Sequence, residues 1–180
     1  FTISDDLTWD GASATDTNDD GDINEVTIDV VAGGTVSVVI AANVDSATAV
    51  DTDLSTNLEV GDASSVSITG TGGSAANPLD HDLVALLLDD TETRSLTVTG
   101  AAYTGIDTGA ITQAAALETL TVTSAIGADT DIDTLIAADS LETLVLTATG
   151  LGSTLNTGAI GGTNDAVLTS LTLSASDAAA

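Results

Sequence analysis

The chain has 180 residues, and 28 acidic side chains face a single lysine or arginine, so the formal net charge is −27. Without a cationic cluster to neutralise phosphates, nucleic acid binding is excluded, and an anionic membrane surface would repel the chain. Cysteine is absent, which excludes a disulfide framework and a thiol active site, and the 43% hydrophobic content argues against acidic disorder.

The first 34 residues contain the densest acidic cluster and the best metal-binding pattern. Counted from Asp16, oxygen-bearing side chains occupy alternate positions, with Gly21 at the turn and Ile23 after it. This is the spacing of an EF-hand-type calcium loop, in which alternating oxygens wrap the ion. The predicted calcium ligands are Asp16, Asn18, Asp20, Asp22, Asn24 and Glu25.

This loop departs from the EF-hand at its last ligand. Thr27 stands where the pattern has a bidentate acidic residue, and residues 26–31 alternate like a strand instead of forming a flanking helix. The loop is therefore more similar to the solitary calcium loops of extracellular modules than to an intracellular sensor. An ordinary Asp/Asn/Gly turn without metal is the alternative.

From residue 35 onward, the chain repeats a short strand pattern. Leu117–Thr123 recurs almost letter for letter at Leu141–Thr147, and a third copy follows at Leu168–Ser174. A repeat of about 20–50 residues is typical of stacked coils rather than of a closed globule. Looser copies extend upstream, and the pairs predicted to point into the core are Val36/Val38, Val66/Ile68, Leu96/Val98, Leu120/Val122, Leu144/Leu146 and Leu171/Leu173.

A second landmark, an aliphatic residue followed by Asp or Asn, comes after most of these strands. Stacking the coils on it predicts one column of side chains: Asp51, Asp80, Asp107, Asp133 and Asn156. Such a column could bridge calcium ions, or each Asp could cap the N–H groups of its own turn. The segments after Asp107 and Asp133, residues 109–116 and 134–140, could form one or two helical turns on the back of the coil.

The residues between the inward aliphatics predict a hydroxyl-rich outer face. The two outward columns are Ser67, Thr97, Thr121, Val145, Thr172 and Thr69, Thr99, Thr123, Thr147, Ser174. Thr-x-Thr arrays on a solenoid resemble the ice-binding face of some antifreeze proteins, whereas the simpler interpretation is that Thr is a good exposed strand residue. A glycan could also bind such a face.

The pattern Leu-x-x-Leu-x-Leu, followed by Ile about 12 residues on and a small-residue segment, resembles leucine-rich repeats. The resemblance is clear over residues 91–177 and looser over 35–90, and the irregular bacterial surface type is closest. The acidic, Thr/Ser/Ala/Gly-rich composition also resembles bacterial surface-layer proteins and large secreted adhesins. These resemblances imply an extracellular, cell-surface setting.

No catalytic arrangement is expected. Carboxylate pairs are abundant, but the only Lys or Arg is Arg94, so a polysaccharide-acting site would have almost no cationic group to stabilise charge. Arg94 is expected to pair with Glu92, Asp89 or Glu118. His81 is expected to be a surface-turn histidine, because a single imidazole, even between two carboxylates, is weak evidence for a zinc site.

Together these patterns predict an all-β chain: a right-handed parallel β-solenoid of leucine-rich-repeat-like coils. Residues 1–34 would form a calcium-stabilised leading module and residues 35–180 about five or six coils. A small β-sandwich over residues 1–80 before a shorter solenoid is the alternative fold. The expected function is calcium-dependent self-assembly into an extracellular surface layer or filament, with a glycan-binding adhesin as the alternative. The longest apolar run, residues 83–88, is too short to span a bilayer.

Overall fold

The computed structural model describes residues 2–4, 25–41, 54–89, 91–136, 138–161 and 168–176. Within these ranges every regular element is a β-strand, and the twelve strands belong to one sheet. The strands are β1 (Thr2–Ser4), β2 (Glu25–Ala41), β3 (Leu54–Thr71), β4 (Leu79–Leu87), β5 (Ser95–Gly100), β6 (Thr104–Asp107), β7 (Ala110–Thr112), β8 (Thr119–Ser124), β9 (Asp129–Leu135), β10 (Thr143–Thr149), β11 (Thr154–Ile160) and β12 (Ser170–Ser176). All of them pair in parallel, and the chain forms a β-solenoid of about five turns.

One side of the solenoid, the front ladder, contains the repeated strands. It runs from β1 through the second halves of β2 and β3 to β5, β8, β10 and β12. From Val36 to Leu171 the predicted inward residues stand in direct register on successive strands. The sequence repeat therefore predicted this ladder correctly, because Leu-x-Leu alternation allows only one face to be buried.

The opposite side, the back ladder, is less regular. It consists of the first halves of β2 and β3, then β4, the short strands β6 and β7, β9 and β11. β3 serves both ladders by turning sharply near Asp62, one of the few non-glycine residues with a positive φ, at 58°. Differences in coil length are taken up on this side and in the turns, so the front ladder keeps its register.

The core lies between the two ladders and is thin and aliphatic. Fully buried side chains come from the front ladder, such as Leu96 and Leu120, and from the back ladder, such as Leu58, Leu86 and Ile132. Because a coil is only two strands thick, each aliphatic residue contacts neighbours above, below and across. Stability therefore accumulates from neighbouring coils, as expected for a repeat protein.

Two expectations about secondary structure are wrong. The segments predicted to be helical contain β7 and the end of β9 instead, and no helix occurs in the described ranges. Ile111 and Leu135 explain the difference, because they are fully buried and pair in register within the back ladder. The alternative of an N-terminal sandwich also fails over the described part of residues 1–80, where β2, β3 and β4 pair in parallel within the solenoid.

β2 begins before residue 34 and continues beyond it, so one strand crosses the predicted boundary between the leading module and the coils. The division into residues 1–34 and 35–180 stays a prediction. Across the described ranges, no helix has the length and apolar character needed to cross a membrane.

Candidate functional site

The outer surface of the back ladder carries a column of acidic side chains. Asp82 on β4 stands in register with Asp107 on β6, and Asp107 with Asp131 on β9. The column ends at Asn156 on β11, whose amide donates a 2.7 Å hydrogen bond to the Asp131 carboxylate. Adjacent parallel strands lie about 4.8 Å apart, so these carboxylates face each other across short gaps.

A second column runs beside the first and brings two more aspartates together. Asp80 on β4 is in register with Gly105 on β6, and Asp129 on β9 pairs with Thr154 on β11. Gly105 lies between the two aspartates: a Cβ at this position would collide with the Asp80 carboxylate and the Asp129 backbone carbonyl. The hydroxyl of Thr154 donates to the Asp129 carboxylate. Because Gly105 has no side chain, the Asp80 carboxylate can approach the backbone of β6 and lie close to β9.

The electrostatics of this surface, hereafter the acidic face (Asp80, Asp82, Asp107, Asp129, Asp131), differ from those of isolated carboxylates. Partial burial, followed by the charges of Asp82, Asp129, Asp131 and Asp107, raises the pKa of Asp80 from 3.8 to about 7. Burial also raises the pKa of Asp107, although the backbone N–H of Gly109 opposes the shift. A carboxylate whose ionised form is unfavourable gains from a bound proton or from a cation.

The predicted aspartate column was out of register by two residues on two coils. Asp82 and Asp131, instead of Asp80 and Asp133, align with Asp107 and Asn156, and Asp51 lies outside the described residues. The reason is that Ile106 and Ile132 do not occupy the same position in the register of the back ladder. Ile106 aligns with His81 on one side and Thr130 on the other, so polar residues occupy inward positions that the sequence pattern reserves for aliphatics.

His81 is not a surface-turn histidine, as the sequence suggested. It is fully buried on β4, and its Nε2 lies 3.0 Å from the backbone carbonyl oxygen of Thr71. Its strand alternates buried and exposed residues, so His81 points inward while Asp80 and Asp82 on either side point out. The imidazole is therefore a core side chain held by a hydrogen bond to the last residue of β3.

Some aspartates cap the N–H groups of their own turns, which was the predicted alternative to metal binding. Asp89 accepts hydrogen bonds from the backbone N–H and the hydroxyl of Thr91, both at 2.8 Å, and from the N–H of Glu92 at 3.2 Å. These bonds, led by those from Thr91, lower the pKa of Asp89. Asp107 likewise accepts from the N–H of Gly109 at 2.8 Å, so it closes its own turn while standing in the acidic face.

The predicted calcium loop lies almost entirely outside the described residues. This applies to Asp16, Asn18, Asp20, Asp22 and Asn24, whereas Glu25 begins β2 and its backbone pairs with Asn57. Within the described ranges, no group of three acidic or histidine side chains is arranged to hold one metal ion. The acidic face therefore presents rows of carboxylates rather than a closed coordination shell.

The chain's single cationic side chain does not reach this face. Arg94 Nη1 lies 2.9 Å from Glu118 Oε1, an ion pair that joins two coils and matches one of the expected pairings. Both side chains are about half exposed, at 53% and 48%, so solvent screens the pair and its contribution is small.

The outer surface of the front ladder has the opposite character. Three outward columns, centred on the strand positions of Thr119, Thr121 and Thr123, run from β2 to β12 in unbroken register. Every position in them bears a hydroxyl except Val39 and Val145, and none is charged. We call this the hydroxyl face.

The last described strand of the front ladder, β12, exposes its core-side leucines. Leu171 and Leu173 are 55% and 67% exposed, while Leu144 and Leu120 at equivalent positions are 7% and 0% exposed. In sequence the third copy of the repeat is indistinguishable from the buried ones. Among the described strands, β12 pairs with β10 alone, so no described strand covers these leucines.

Comparison with known proteins adds no identification: no protein-family model, no curated protein and no solved structure matches the chain.

Proposed function

We propose that the chain is a structural segment of a secreted bacterial surface protein, whose solenoids assemble with calcium into a surface layer or filament. The observation that supports this most directly is the acidic face, where carboxylates of successive coils stand in register without a Lys or Arg among them. The surface setting itself comes from the composition and from the resemblance to surface-layer proteins.

The physical basis is that like charges at this spacing repel strongly. At about 5 Å and an effective dielectric constant of about 20, two carboxylates repel by about 3 kcal/mol. A divalent cation between them replaces repulsion with attraction, and a cation shared by two molecules would join their acidic faces. Because such ions bind the folded, stacked arrangement, they favour folding and assembly together. The predicted loop from Asp16 to Glu25 would add a more specific calcium site.

A second candidate function is binding of a neutral glycan, or less readily ice, through the hydroxyl face. The observation that favours it is the absence of charge on this face in a chain of net charge −27. The unbroken register also supplies a repeating array of hydroxyl donors and acceptors. A glycan array and an ice-recrystallisation assay on the whole chain test this function, and inactivity in both would contradict it.

Chelation tests the main proposal. The chain is incubated with calcium and then with excess EGTA, while circular dichroism reports strand content and light scattering reports particle size. We expect both to fall after EGTA and to recover when calcium is restored. If strand content and assembly both survive chelation, the proposal is wrong.

A pair of variants connects the effect to the acidic face. Asp107→Asn with Asp131→Asn removes two carboxylates of the central column, whereas Glu92→Gln with Asp139→Asn removes two elsewhere. We expect the first pair to raise the calcium concentration at half-assembly several-fold and the second pair to change it little. Equal effects would show that net charge matters and position does not.

A further inference from the structure

The hydroxyl face is an uncharged surface that extends over six described strands. Its outward positions on β2, β3, β5, β8, β10 and β12 carry Ser or Thr, except for Val39 and Val145. From Thr35 onward these strands pair without a register shift, so each column repeats once per coil. A second face with the same repeat of about 4.8 Å can therefore mesh with it along its whole length.

Contact through the hydroxyl face keeps the acidic faces of two copies far apart. The acidic face lies on the back ladder. When two hydroxyl faces meet, three spacings between packed sheets separate the two acidic faces, which places them about 30 Å apart. The screening length at physiological salt is about 8 Å, so the repulsion between the acidic faces is largely screened. A second copy of net charge −27 can thus approach this side without a bridging cation.

The two edges of the solenoid determine the orientation of the second copy. The described turns that lead from the front ladder to the back, residues 72–78, 101–103, 125–128 and 150–153, contain no charged residue, and Asp45 and Asp177 lie outside the described residues. The turns that lead back to the front contain Arg94 and five acidic residues, Asp89, Glu92, Glu118, Asp139 and Glu142. A twofold axis parallel to the solenoid axis reverses the strands of the second copy, so each charged edge lies beside an uncharged one. An axis parallel to the strands would instead bring the two charged edges together.

This orientation places every coil opposite its own copy. The column of Thr121 lies on the axis, and the column of Thr119 faces that of Thr123. Val145, which interrupts the hydroxyls of the central column, meets Val145 of the second copy and forms an apolar contact on the axis. The interruption removes a hydrogen-bonding group from an array that would bind glycan or ice, whereas it contributes to a contact between two copies.

We propose that two copies of this chain pack hydroxyl face to hydroxyl face, about a twofold axis that follows the column of Thr121. The proposal identifies the partner and one interface for the self-assembly proposed above, and it rests on that function. The contact is isologous and closes at two copies. Both acidic faces stay on the outside of the dimer, where calcium bridges can join dimers into a layer or filament.

The size of the contact indicates its strength. Six strands at about 4.8 Å cover about 29 Å, and the five residues between the outer columns cover about 17 Å, which gives about 500 Å² per copy. The total of about 1,000 Å² is at the lower limit for a specific interface. We therefore expect a weak, reversible dimer.

Sedimentation velocity of the whole chain in NaCl and EGTA, over a concentration series, is the first test. EGTA removes calcium bridges, and about 1 M NaCl shortens the screening length to about 3 Å, so repulsion between exposed charges is small. We expect a monomer–dimer equilibrium that stops at twice the monomer mass of 17.6 kDa. A monomer at every concentration, or growth beyond the dimer, overturns the proposal.

Opposite charges introduced at Thr121 are the second test. Thr121→Lys or Thr121→Glu alone brings two like charges together on the axis, enclosed between the faces, where salt screens them much less than at an exposed site. We expect each variant alone to raise the dimer dissociation constant at least about 30-fold, and an equimolar mixture of the two to form dimers again. Circular dichroism of each variant before mixing measures its strand content.

The matched controls are Val84→Lys and Val84→Glu, which make the same changes of charge on the back ladder. Val84 is 56% exposed on β4, away from the hydroxyl face. We expect each of these variants to form dimers alone as the wild type does. If the Thr121 variants also form dimers alone as the wild type does, the axis does not follow the column of Thr121 and the proposal is wrong.

The outcomes separate this proposal from the function on which it rests. Assembly with calcium, but no dimer in NaCl and EGTA, overturns the contact between hydroxyl faces and leaves calcium assembly standing. A dimer in NaCl and EGTA that responds to the Thr121 variants, but that calcium does not extend, supports the contact and contradicts calcium assembly. Glycan-array hits from a chain that stays monomeric would assign the hydroxyl face to a glycan and overturn the self-contact.

Discussion

Asp80 illustrates how the solenoid changes a single side chain. In an isolated peptide its carboxyl would ionise near 3.8, but here burial and four neighbouring aspartates raise the pKa to about 7. Between these two values the folded chain holds a proton that the unfolded chain has lost. The stability of the fold therefore decreases as the pH rises from about 4 to about 7.

Replacing Asp80 with Asn should remove this pH dependence. We expect Asp80→Asn to raise the melting temperature at pH 8, where the wild-type carboxylate is charged, and to change it little at pH 5. Asp80 is substantially exposed, and solvent screens its charge. The gain in stability is therefore smaller than the free energy that corresponds to the whole pKa shift. Thermal melts at the two pH values, with Asp133→Asn on β9 as the control, measure it. An equal effect of Asp80→Asn at both pH values would contradict the account.

Thr130 presents a different problem, a buried hydroxyl. Its Oγ1 has no hydrogen-bond partner among the described residues, although the side chain is fully buried on β9. Valine has the same shape without the polar atom, so Thr130→Val should stabilise the fold by about 1 kcal/mol. Urea unfolding measures the change in the free energy of unfolding.

The same substitution at Thr104 is the control for Thr130→Val. Thr104 is equally buried on β6, but its hydroxyl accepts a 2.8 Å hydrogen bond from the backbone N–H of Gly73. Thr104→Val should therefore destabilise the fold by about 1 kcal/mol. If both variants shift stability in the same direction, hydrogen bonding does not explain the difference between the sites.

At the scale of strands, Gly105 determines how closely β4, β6 and β9 approach. A side chain here would collide with backbone atoms of Asp129 that cannot move aside. Gly105→Ala should cost about 1–3 kcal/mol through overpacking. Gly161→Ala, where no atom lies within 4 Å of an added Cβ, should cost much less. Denaturant unfolding compares the two, and equal costs would show that the close approach is not required.

The front ladder was predictable from sequence because each of its strands carries two aliphatics in strict alternation. A slip of one residue would expose both, so the register from Val36 to Leu171 follows from the pattern alone. The back ladder lacks this redundancy. Each of its strands was recognised in the sequence by a single aliphatic residue next to an aspartate or asparagine. Ile106 also aligns with the polar residues His81 and Thr130, an alignment that a hydrophobic pattern does not predict.

The candidate surfaces were predictable to different degrees for the same reason. The hydroxyl face follows from the front register, so the sequence predicted two of its three columns, those of Thr121 and Thr123, and the structure adds the column of Thr119. The acidic face was expected, but its columns were misaligned by two residues, and the effect of Gly105 depends on an approach between coils. The exposure of Leu171 and Leu173 depends on position in the stack, which their own sequence does not encode.

At the scale of the whole molecule, the solenoid separates two surfaces. The back carries the acidic face and the front carries the hydroxyl face. The charge of −27 has almost no internal compensation, since Arg94 pairs with Glu118 away from the acidic face. Cations from solution must therefore offset it, either by general screening or by bridging carboxylates.

Screening and bridging make different predictions, and high-salt adaptation would need only screening. The most direct measurement compares CaCl₂ with NaCl at matched ionic strength, following melting temperature and sedimentation coefficient of the whole chain. We predict that calcium raises both well beyond the sodium values and that EGTA reverses the difference. Identical curves in the two salts would contradict calcium-dependent assembly and leave acidity as an adaptation to salt alone.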